Sequence, residues 1–378
     1  MPVIAQDNSF FLTFVDSLNL IAEEERNLQF EKFLEKQDQL PIIESDRVFF
    51  IARAQYGKAP LLLADFNGFL HPRYMNQPEL GAMLAIPGTR WHYRSVSLLP
   101  KARIAYRIKV GEQVFTDPLN PRVVLAFRQL YSEVRMPDYE IAPEIISDQS
   151  IPRGHLIALT LKSEKLQQER NVQIYTPPGY DKKKTYPSVY FHDGTFQIEE
   201  GRTPQILDYL IVMGKIQPLI AVFDDPQVRG REYRGDPDYI AYVSEELIPY
   251  VDEHYATKAE AESRAVIGFS RAGQSALYLS HTLDQFDLCG IFSPAIIPGD
   301  SQEFVQELRS RPHKPKALFM VGTIYDGIWY PDSEALKKTF QQEEFNFQYV
   351  EIPEGHNIPA WRTELDTMLE FFFPVEKN

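Results

Sequence analysis

Cysteine is almost missing from this chain of 378 residues, in which Cys289 is the only one. A single thiol cannot form an intramolecular disulfide, so a disulfide-stabilised fold is excluded. Cys289 lies in the apolar run FDLCGIF, which is typical of an inert core residue and not of a nucleophile. Nothing in the cysteine content therefore indicates folding in an oxidising compartment.

Long apolar runs and an excess of basic residues are also missing. No run approaches the roughly 18 apolar residues that span a bilayer, and the N-terminus MPVIAQDNSFF lacks the pattern of a secretory signal. We therefore expect a cytoplasmic protein. The 53 acidic residues outnumber the 39 Lys and Arg residues, which gives a formal net charge of −14. Because nucleic acids and anionic membranes select basic surfaces, neither is an expected partner.

The chain is long enough for two domains, and its sequence pattern changes along its length. Residues 1–40 include apolar residues at helical spacing, which predict an N-terminal helical segment. Residues 41–125 contain short segments rich in β-branched and aromatic residues, such as RVFFIARA and ARIAYRIKV, separated by turn sequences. This pattern predicts a small all-β sandwich of the immunoglobulin-like type. Residues 126–152 are proline-spaced and acidic, and we interpret them as a linker.

From residue 153 to residue 378, hydrophobic runs alternate with helical patterns. YPSVYFHDG, PLIAVFDDP and RAVIGFS are buried-looking runs, whereas TPQILDYLIVMG and YIAYVSEELIPYVDEHY have helical spacing. Such alternation predicts an α/β domain with a mainly parallel sheet and helices on both of its faces.

One strand-to-helix junction in this domain carries a serine among small residues, in IGFSRAG. Ser270 has the position of the nucleophile in a strand–turn–helix elbow. Gly268 and Ala272 stand two residues before and two after it, where the tight turn excludes large side chains. The start of the helix would direct the Arg271 amide toward a developing oxyanion. Alone, this pentapeptide is a weak signal.

A reactive serine needs a base, and three histidines follow Ser270. His281 lies within a predicted helix, and His313 lies in a polar, proline-rich loop. His356 comes directly after the last predicted strand, at the carboxyl edge of the sheet. We therefore expect His356 to be the base.

The base in turn needs an acid, which in this class of fold follows the preceding strand. Asp326 and Asp332 both come after the strand KALFMVG. Asp326 is closer to the strand and precedes a glycine, so it is the preferred acid. Asp332 suits the start of the helix SEALKKTF, and the choice between the two stays open.

Other candidate site residues lie near these three. The turn in VYFHDGTF offers the amides of Gly194 and Thr195 as a second oxyanion donor. Several aromatic residues lie close in sequence to Asp326 and His356, and they either form an apolar or sugar-stacking pocket or simply pack. These residues are Tyr325, Trp329, Tyr330 and Trp361.

Taken together, these motifs resemble the enterochelin-esterase-like, or esterase D-like, branch of the α/β-hydrolases. YTPPGYDKKKTYPSVYFHDG, IGFSRAG, VGTIYD and EGHNIPAWR carry the resemblance. LLLADFNGF and DPLNPR in the N-terminal region are similar to that family's early-set, immunoglobulin-like domain. The resemblance implies a serine esterase without metal or cofactor, with Ser270 as nucleophile, Asp326 as acid and His356 as base.

The segment RGREY resembles a family stretch that lines the site, which makes Arg229, Arg231 and Glu232 candidates for substrate binding. Two positions depart from the family pattern, namely Ala272 in place of a glycine and Arg271 in place of a small residue. The acidic balance is unfavourable for ferric catecholate siderophores, which are strongly anionic, so that substrate is not carried over.

The predicted function is hydrolysis of a small-molecule carboxylic ester, sugar esters included, through an acyl-enzyme. One alternative is a glycan- or ligand-binding protein on an inactive hydrolase scaffold. Another is a different acyl transfer, by a peptidase, thioesterase or acyltransferase. The sequence leaves open the two halves of the ester, the role of the N-terminal domain and the oligomeric state.

Overall fold

The structure is a computed structural model that describes residues 9–71, 77–146, 150–297, 301–342 and 346–375. The chain forms two compact units. The first unit is Met1–Glu140 together with Tyr325–Ile328 and Pro353–Gly355. The second unit is Ile141–Ile324, Trp329–Ile352 and His356–Asn378. The chain therefore returns twice to the first unit after leaving it. Residues 1–8 of the predicted helical segment lie outside the described part of the chain.

The first unit begins with two helices and continues with two antiparallel sheets. The helices are α1 (Phe10–Ser17) and α2 (Glu23–Leu34). The strands are β1 (Ile42–Glu44), β2 (Arg47–Arg53), β3 (Pro60–Ala64), β4 (Leu84–Ala85), β5 (Trp91–Ser97), β6 (Arg103–Val110), β7 (Gln113–Phe115), β8 (Val123–Ala126) and β9 (Gln129–Arg135). One sheet has the order β1-β2-β5-β4, and the other has the order β3-β6-β9-β8 with β7 beside β6.

Alternation along β2 explains how these layers pack. Successive side chains of a strand point to opposite faces, and in β2 both faces are buried. Phe50 packs with Ile104 of β6 in a core that the two sheets share. Phe49 points the other way and contacts Phe11 of α1, with ring centroids 4.6 Å apart. The structure thus contains both the predicted helical segment and the predicted sandwich.

The sandwich extends beyond its predicted end at residue 125. β9 pairs with β6 and β8, so the predicted linker of 126–152 begins too early. The proline-rich segment DPLNPR belongs to this unit as well, and two of its polar side chains, Asp117 and Asn120, are buried and hydrogen-bonded. Asp117 accepts from the Tyr106 hydroxyl at 2.7 Å, and the Asn120 amide donates to the Glu133 carbonyl at 2.9 Å. Polar residues of this kind resemble a linker in sequence although they stabilise the interior.

The second unit alternates strands and helices. Its strands are β10 (His155–Ser163), β11 (Gln168–Thr176), β12 (Ser188–His192), β13 (Ile220–Asp224), β14 (Arg264–Phe269), β15 (Leu288–Phe292), β16 (Ala317–Thr323) and β17 (Asn346–Ile352). Its helices are α3 (Pro143–Ile146), α4 (Gly194–Glu199), α5 (Thr203–Val212), α6 (Arg229–Glu232), α7 (Pro237–Tyr242), α8 (Ile248–His254), α9 (Arg271–Thr282), α10 (Ser301–Ser310), α11 (Tyr330–Phe340), α12 (Ile358–Trp361) and α13 (Leu365–Phe372).

These strands form one sheet in the order β10-β11-β13-β12-β14-β15-β16-β17. β10, β11 and β13 pair antiparallel, and every other neighbouring pair is parallel. The predicted mainly parallel sheet is therefore confirmed. Because parallel strands end at one edge, the loops after β12, β14, β16 and β17 all begin at the same edge of the sheet.

Helices cover both faces of this sheet, as two neighbouring residues of β16 show. Met320 packs in a core with Leu277 of α9 and Leu336 of α11. Phe319 points to the opposite face, where its ring lies 5.6 Å from that of Phe371 in α13. Within the described ranges, no helix combines the length and the apolar character needed to cross a bilayer.

Candidate active site

Ser270 occupies the turn between β14 and α9. Its φ of 55° and ψ of −127° lie in a region that residues other than glycine rarely adopt. Its amide donates to the Phe292 carbonyl at 2.8 Å, and its own carbonyl accepts from the Gly273 amide at 3.0 Å. These bonds hold the strained conformation that presents the hydroxyl at the start of α9. This is the strand–turn–helix geometry predicted for the segment.

The small residues around the serine have unequal importance. A Cβ atom at Gly268 would lie 2.2 Å from the carbonyl oxygen of Ala272, so only glycine fits there. At Gly273, the nearest neighbour of an added Cβ would be 3.3 Å away. The tight turn of the elbow therefore requires glycine at position 268, whereas position 272 already carries an alanine.

His356, which follows β17, meets the serine. Its Nε2 lies 2.8 Å from Ser270 Oγ, so an unprotonated Nε2 can accept the hydroxyl proton. The imidazole packs edge-on against Trp361, with ring centroids 4.9 Å apart. Trp361 stacks on Phe269 at 4.6 Å and donates from Nε1 to Ser293 Oγ at 3.1 Å. Predicted as a pocket residue, Trp361 is only 2% exposed and instead packs against the base.

The other histidines after Ser270, and the single cysteine, have contacts that give them structural roles. His281, expected to be partly exposed, is buried in α9 with Nδ1 2.8 Å from the Leu277 carbonyl. His313 Nε2 lies 3.3 Å from the Phe286 carbonyl. Cys289 is fully buried, and burial raises the pKa of its thiol to about 12. None of the three has the arrangement that Ser270 and His356 have.

The two acid candidates belong to different units. Asp326 lies in the first unit, 4% exposed, and its Oδ1 accepts from the Ile328 amide at 3.1 Å. Asp332 lies in the second unit, in the first turn of α11, and accepts from the Ile296 amide at 3.1 Å and from Ser301 Oγ at 2.5 Å. Asp332 therefore fixes the segment before α10, which favours Asp326 as the acid.

The predicted second oxyanion donors differ in their partners. Thr195 donates from its amide to Asp225 Oδ1 at 3.0 Å and from its hydroxyl to Oδ2 at 2.5 Å. Its amide is therefore engaged, which argues against the prediction for Thr195. Asp225 follows β13 at the same sheet edge, a proximity that the sequence does not show. Gly194 begins α4, and a Cβ there would lie 2.8 Å from the backbone of Phe223.

Of the three residues predicted in RGREY, only one reaches the loop after β12. Arg229 donates to Asp193 from Nε at 3.0 Å and from Nη2 at 2.7 Å, and its side chain is 37% exposed. Asp193 directly precedes Gly194 and has a positive φ of 52°. Arg229 is thus bonded to the loop that carries the candidate oxyanion donor.

Glu232 and Arg231 do not fit the prediction of substrate binding. Glu232 is 3% exposed and forms an internal ion pair with Arg170 at 2.8 Å. Arg231 points outward, 63% exposed, and pairs with Asp236 and Asp238. Adjacent residues of a single short helix turn thus have opposite environments.

The aromatic candidates also divide. Tyr325 packs against the sandwich core, and its hydroxyl accepts from the Leu99 amide at 2.9 Å, so it serves the first unit as a packing residue. Tyr330 donates to Glu351 at 2.9 Å. Trp329 immediately precedes α11 and is half-buried, and it remains a candidate for substrate contact.

Sequence reasoning missed a buried polar cluster behind the β12 loop. Arg170 on β11 pairs with Asp224 at 2.9 Å, and the Tyr239 hydroxyl lies 3.1 Å both from Asp224 Oδ2 and from His192 Nδ1. Burial, reinforced by the charges of Arg170 and Arg229, lowers the pKa of His192 to about 3. His192 is therefore neutral at ordinary pH. The only signal in the sequence was an arginine inside a predicted strand.

Comparison with known proteins agrees with this geometry. The model of the Esterase family, described as "Putative esterase", matches residues 163–372, which is more than half of the chain. The chain belongs to the Esterase family. The matched range includes Ser270, Asp326 and His356.

Two sequence relatives match this chain over only a part of their own length. It is 28% identical over 159 residues to the endo-1,4-beta-xylanase/feruloyl esterase of Xylanibacter ruminicola, a match over 38% of this chain and 22% of the relative. It is 27% identical over 195 residues to endo-1,4-beta-xylanase Y of Acetivibrio thermocellus, a match over 44% of this chain and 18% of the relative. The chain thus spans about a fifth of the length of these curated relatives.

Solved structures match over most of the chain. The enterobactin esterase of Shigella flexneri, in the presence of enterobactin, has a TM-score of 0.71 and 20% identity over 90% of this chain and 97% of that one. The ferric enterobactin esterase of Salmonella typhimurium has the same score and identity over 90% of this chain and 98% of that one. These matches confirm the predicted α/β-hydrolase fold.

Proposed function

We propose that this chain hydrolyses a carboxylic ester through an acyl-enzyme on Ser270. The observation that carries the proposal is the 2.8 Å distance between His356 Nε2 and Ser270 Oγ on a strained elbow. A serine hydroxyl is a poor nucleophile until an adjacent base takes its proton. Membership of the Esterase family supports an ester as the substrate.

The first half of the reaction forms the acyl-enzyme. His356 takes the proton as Ser270 Oγ attacks the ester carbonyl carbon. The Arg271 amide at the start of α9 stabilises the oxyanion, and the Gly194 amide is the second donor. His356 then returns the proton to the alcohol oxygen as the ester bond breaks. A water molecule, activated by the same imidazole, finally releases the acid and restores the serine.

Asp326 is the acid of this scheme. Its place after β16 and before His356 fits the chain order of nucleophile, acid and base in this fold. Asp332 already accepts two hydrogen bonds, one from the Ile296 amide and one from Ser301, the first residue of α10.

Arg229 and Trp329 are the remaining candidates for substrate binding, and feruloyl esters are the first class to test. One of the sequence relatives is a feruloyl esterase. Sugar-linked esters belong to that test, and the cytoplasmic location stays a prediction.

The decisive experiment compares Ser270→Ala with wild type on p-nitrophenyl acetate and methyl ferulate. We expect kcat to fall by about a thousandfold or more, because only binding and the oxyanion donors remain. Ser275→Ala is the matched control, since Ser275 lies buried on the same helix five residues after Ser270, and it should keep wild-type activity.

Labelling with an organophosphonate locates the nucleophile independently. Modification at Ser270 supports the proposal, whereas modification elsewhere, or full activity of Ser270→Ala, contradicts it. Glycan binding without any ester turnover would favour the inactive-scaffold alternative.

A further inference from the structure

Two loops that leave the large sheet belong to the first unit. Tyr325–Ile328 follows β16 and carries Asp326, and Pro353–Gly355 follows β17 and directly precedes His356. The proposed acid lies within one of these segments, and the proposed base is one peptide bond from the other. The contacts that hold these segments therefore bear on catalysis.

Arg103, the first residue of β6, holds the second segment at two points. Its amide donates to the Pro353 carbonyl at 3.2 Å, and its Nε donates to Glu354 Oε2 at 2.5 Å. Its Nη1 pairs with Glu133 of β9 at 3.1 Å. The three side chains of this ion-pair cluster are at most 4% exposed.

The cluster is rigid for electrostatic reasons. Burial alone would lower the pKa of Arg103, but the charges of Glu354 and Glu133 outweigh it and raise that pKa, so the guanidinium stays charged. A charge that is buried and paired on two sides cannot leave its partners without a large desolvation cost. Glu354 is therefore fixed two residues before His356.

Asp65 holds both loops. Its Oδ2 accepts from the Ala105 amide at 2.6 Å, and its carbonyl accepts from the Gly327 amide at 3.1 Å. A Cβ at Gly355 would lie 1.9 Å from Asp65 Cγ, so the loop before His356 packs directly on this carboxyl group. The Tyr325 amide also donates to the Glu354 carbonyl at 2.9 Å, which joins the two loops.

We propose that Arg103 and Glu354 are positioning residues for His356. This inference rests on the function proposed above. Neither residue touches reacting atoms; they act through the peptide backbone of Gly355. Weakening the pair lets the imidazole spend less time at the distance that proton transfer needs, which lowers kcat and leaves KM unchanged.

Glu354→Gln tests the proposal, with Glu133→Gln as its matched control. Both substitutions remove one buried carboxylate from Arg103 while keeping the side-chain shape, but Glu133 lies on β9 and not beside the base. We expect similar losses of Tm in the two variants. Glu354→Gln should lower kcat about 10- to 100-fold with KM within twofold, and Glu133→Gln should keep kcat within twofold.

A second readout is the rate at which the organophosphonate labels Ser270, which should fall in parallel with kcat. Equal activity of the two variants, or equal losses that follow Tm, would overturn the positioning role. If wild type neither turns over esters nor is labelled at Ser270, the proposed function itself fails. Should Glu354→Gln not fold, Asp65→Asn alters the contact with Gly355, and we expect the same fall of kcat at constant KM; unchanged kcat would reject the proposal.

Discussion

Each unit of the molecule buries an arginine between two carboxylates, but the two clusters join different things. In the second unit, Arg170 on β11 pairs with Asp224, at the end of the neighbouring β13, and with Glu232 of α6. In the first unit, Arg103 pairs with Glu133 on the neighbouring β9 and with Glu354, 251 residues away. The same kind of ion pair thus joins two neighbouring strands and a short helix in one unit, whereas in the other unit it fixes a loop that is distant in sequence.

The comparison teaches where a buried ion pair is useful. Such a pair adds little net stability over an apolar replacement, because desolvation offsets the attraction. The buried pair nevertheless holds its two side chains in a fixed geometry, since separating them would leave a buried charge unpaired at a high free-energy cost. At Arg170 that strictness fixes the short α6, whereas at Arg103 it fixes the segment before the proposed base.

The largest effect that we expect comes from breaking one cluster. Arg170→Leu leaves Asp224 and Glu232 buried without their cation, so the free energy of unfolding should fall by about 3–5 kcal/mol. Arg231→Leu is the control, because that arginine is 63% exposed and solvent screens its ion pairs, so its loss should cost much less. Urea unfolding measures both variants. Equal costs would mean that burial does not distinguish the two arginines.

A smaller effect probes the loop that Arg103 holds. Gly355→Ala places a methyl group against Asp65, so we expect a loss of about 1–3 kcal/mol from overpacking. Gly230→Ala in α6 is the matched control, since its Cβ would lie 3.5 Å from Arg271 Nη1, which is an ordinary contact. Thermal and urea unfolding compare the two variants. A tolerated Gly355→Ala would show that the loop is loosely held.

The smallest effect concerns pH, and it belongs to the Arg170 cluster. The pKa of His192 is about 3 in the folded protein against 6.5 ordinarily. Between these values the unfolded chain binds a proton that the folded protein does not. Stability therefore falls as pH falls from about 6.5, with a slope of up to about 1.4 kcal/mol per pH unit.

His192→Gln should flatten this slope in urea unfolding at pH 7, 6 and 5. His254→Gln is the comparison variant, because that histidine has a side chain that is 48% exposed. An unchanged slope in His192→Gln would mean that His192 does not cause the acid sensitivity.

Local patterns in the sequence predicted the central features well. The hydrophobic runs predicted the parallel strands of the sheet, because strands that are buried on both faces consist mostly of apolar residues. Gly268 and Ser270 marked the elbow, since the tight turn constrains neighbouring residues. His356 was found from chain order, and the structure brings its imidazole to Ser270.

Partners distant in sequence could not be predicted in the same way. Nothing in the segment around Thr195 shows that Asp225 accepts its amide, and RGREY does not reveal that Glu232 faces inward to Arg170. The end of the sandwich was also misplaced, because the segment of β9 does not show that it pairs with β6 and β8. In each case the side chain's role depends on a strand that the segment itself does not contain.

The first unit includes Pro353–Gly355, and this has a consequence for biosynthesis. A ribosome makes Arg103 and Glu133 before the large sheet, yet Glu354 emerges only after β17, the last strand of that sheet, has been translated. Until then the nascent sandwich lacks one of the two anions around Arg103 as well as the backbone that covers Asp65. The first unit therefore reaches its final form only after the whole large sheet has been synthesised.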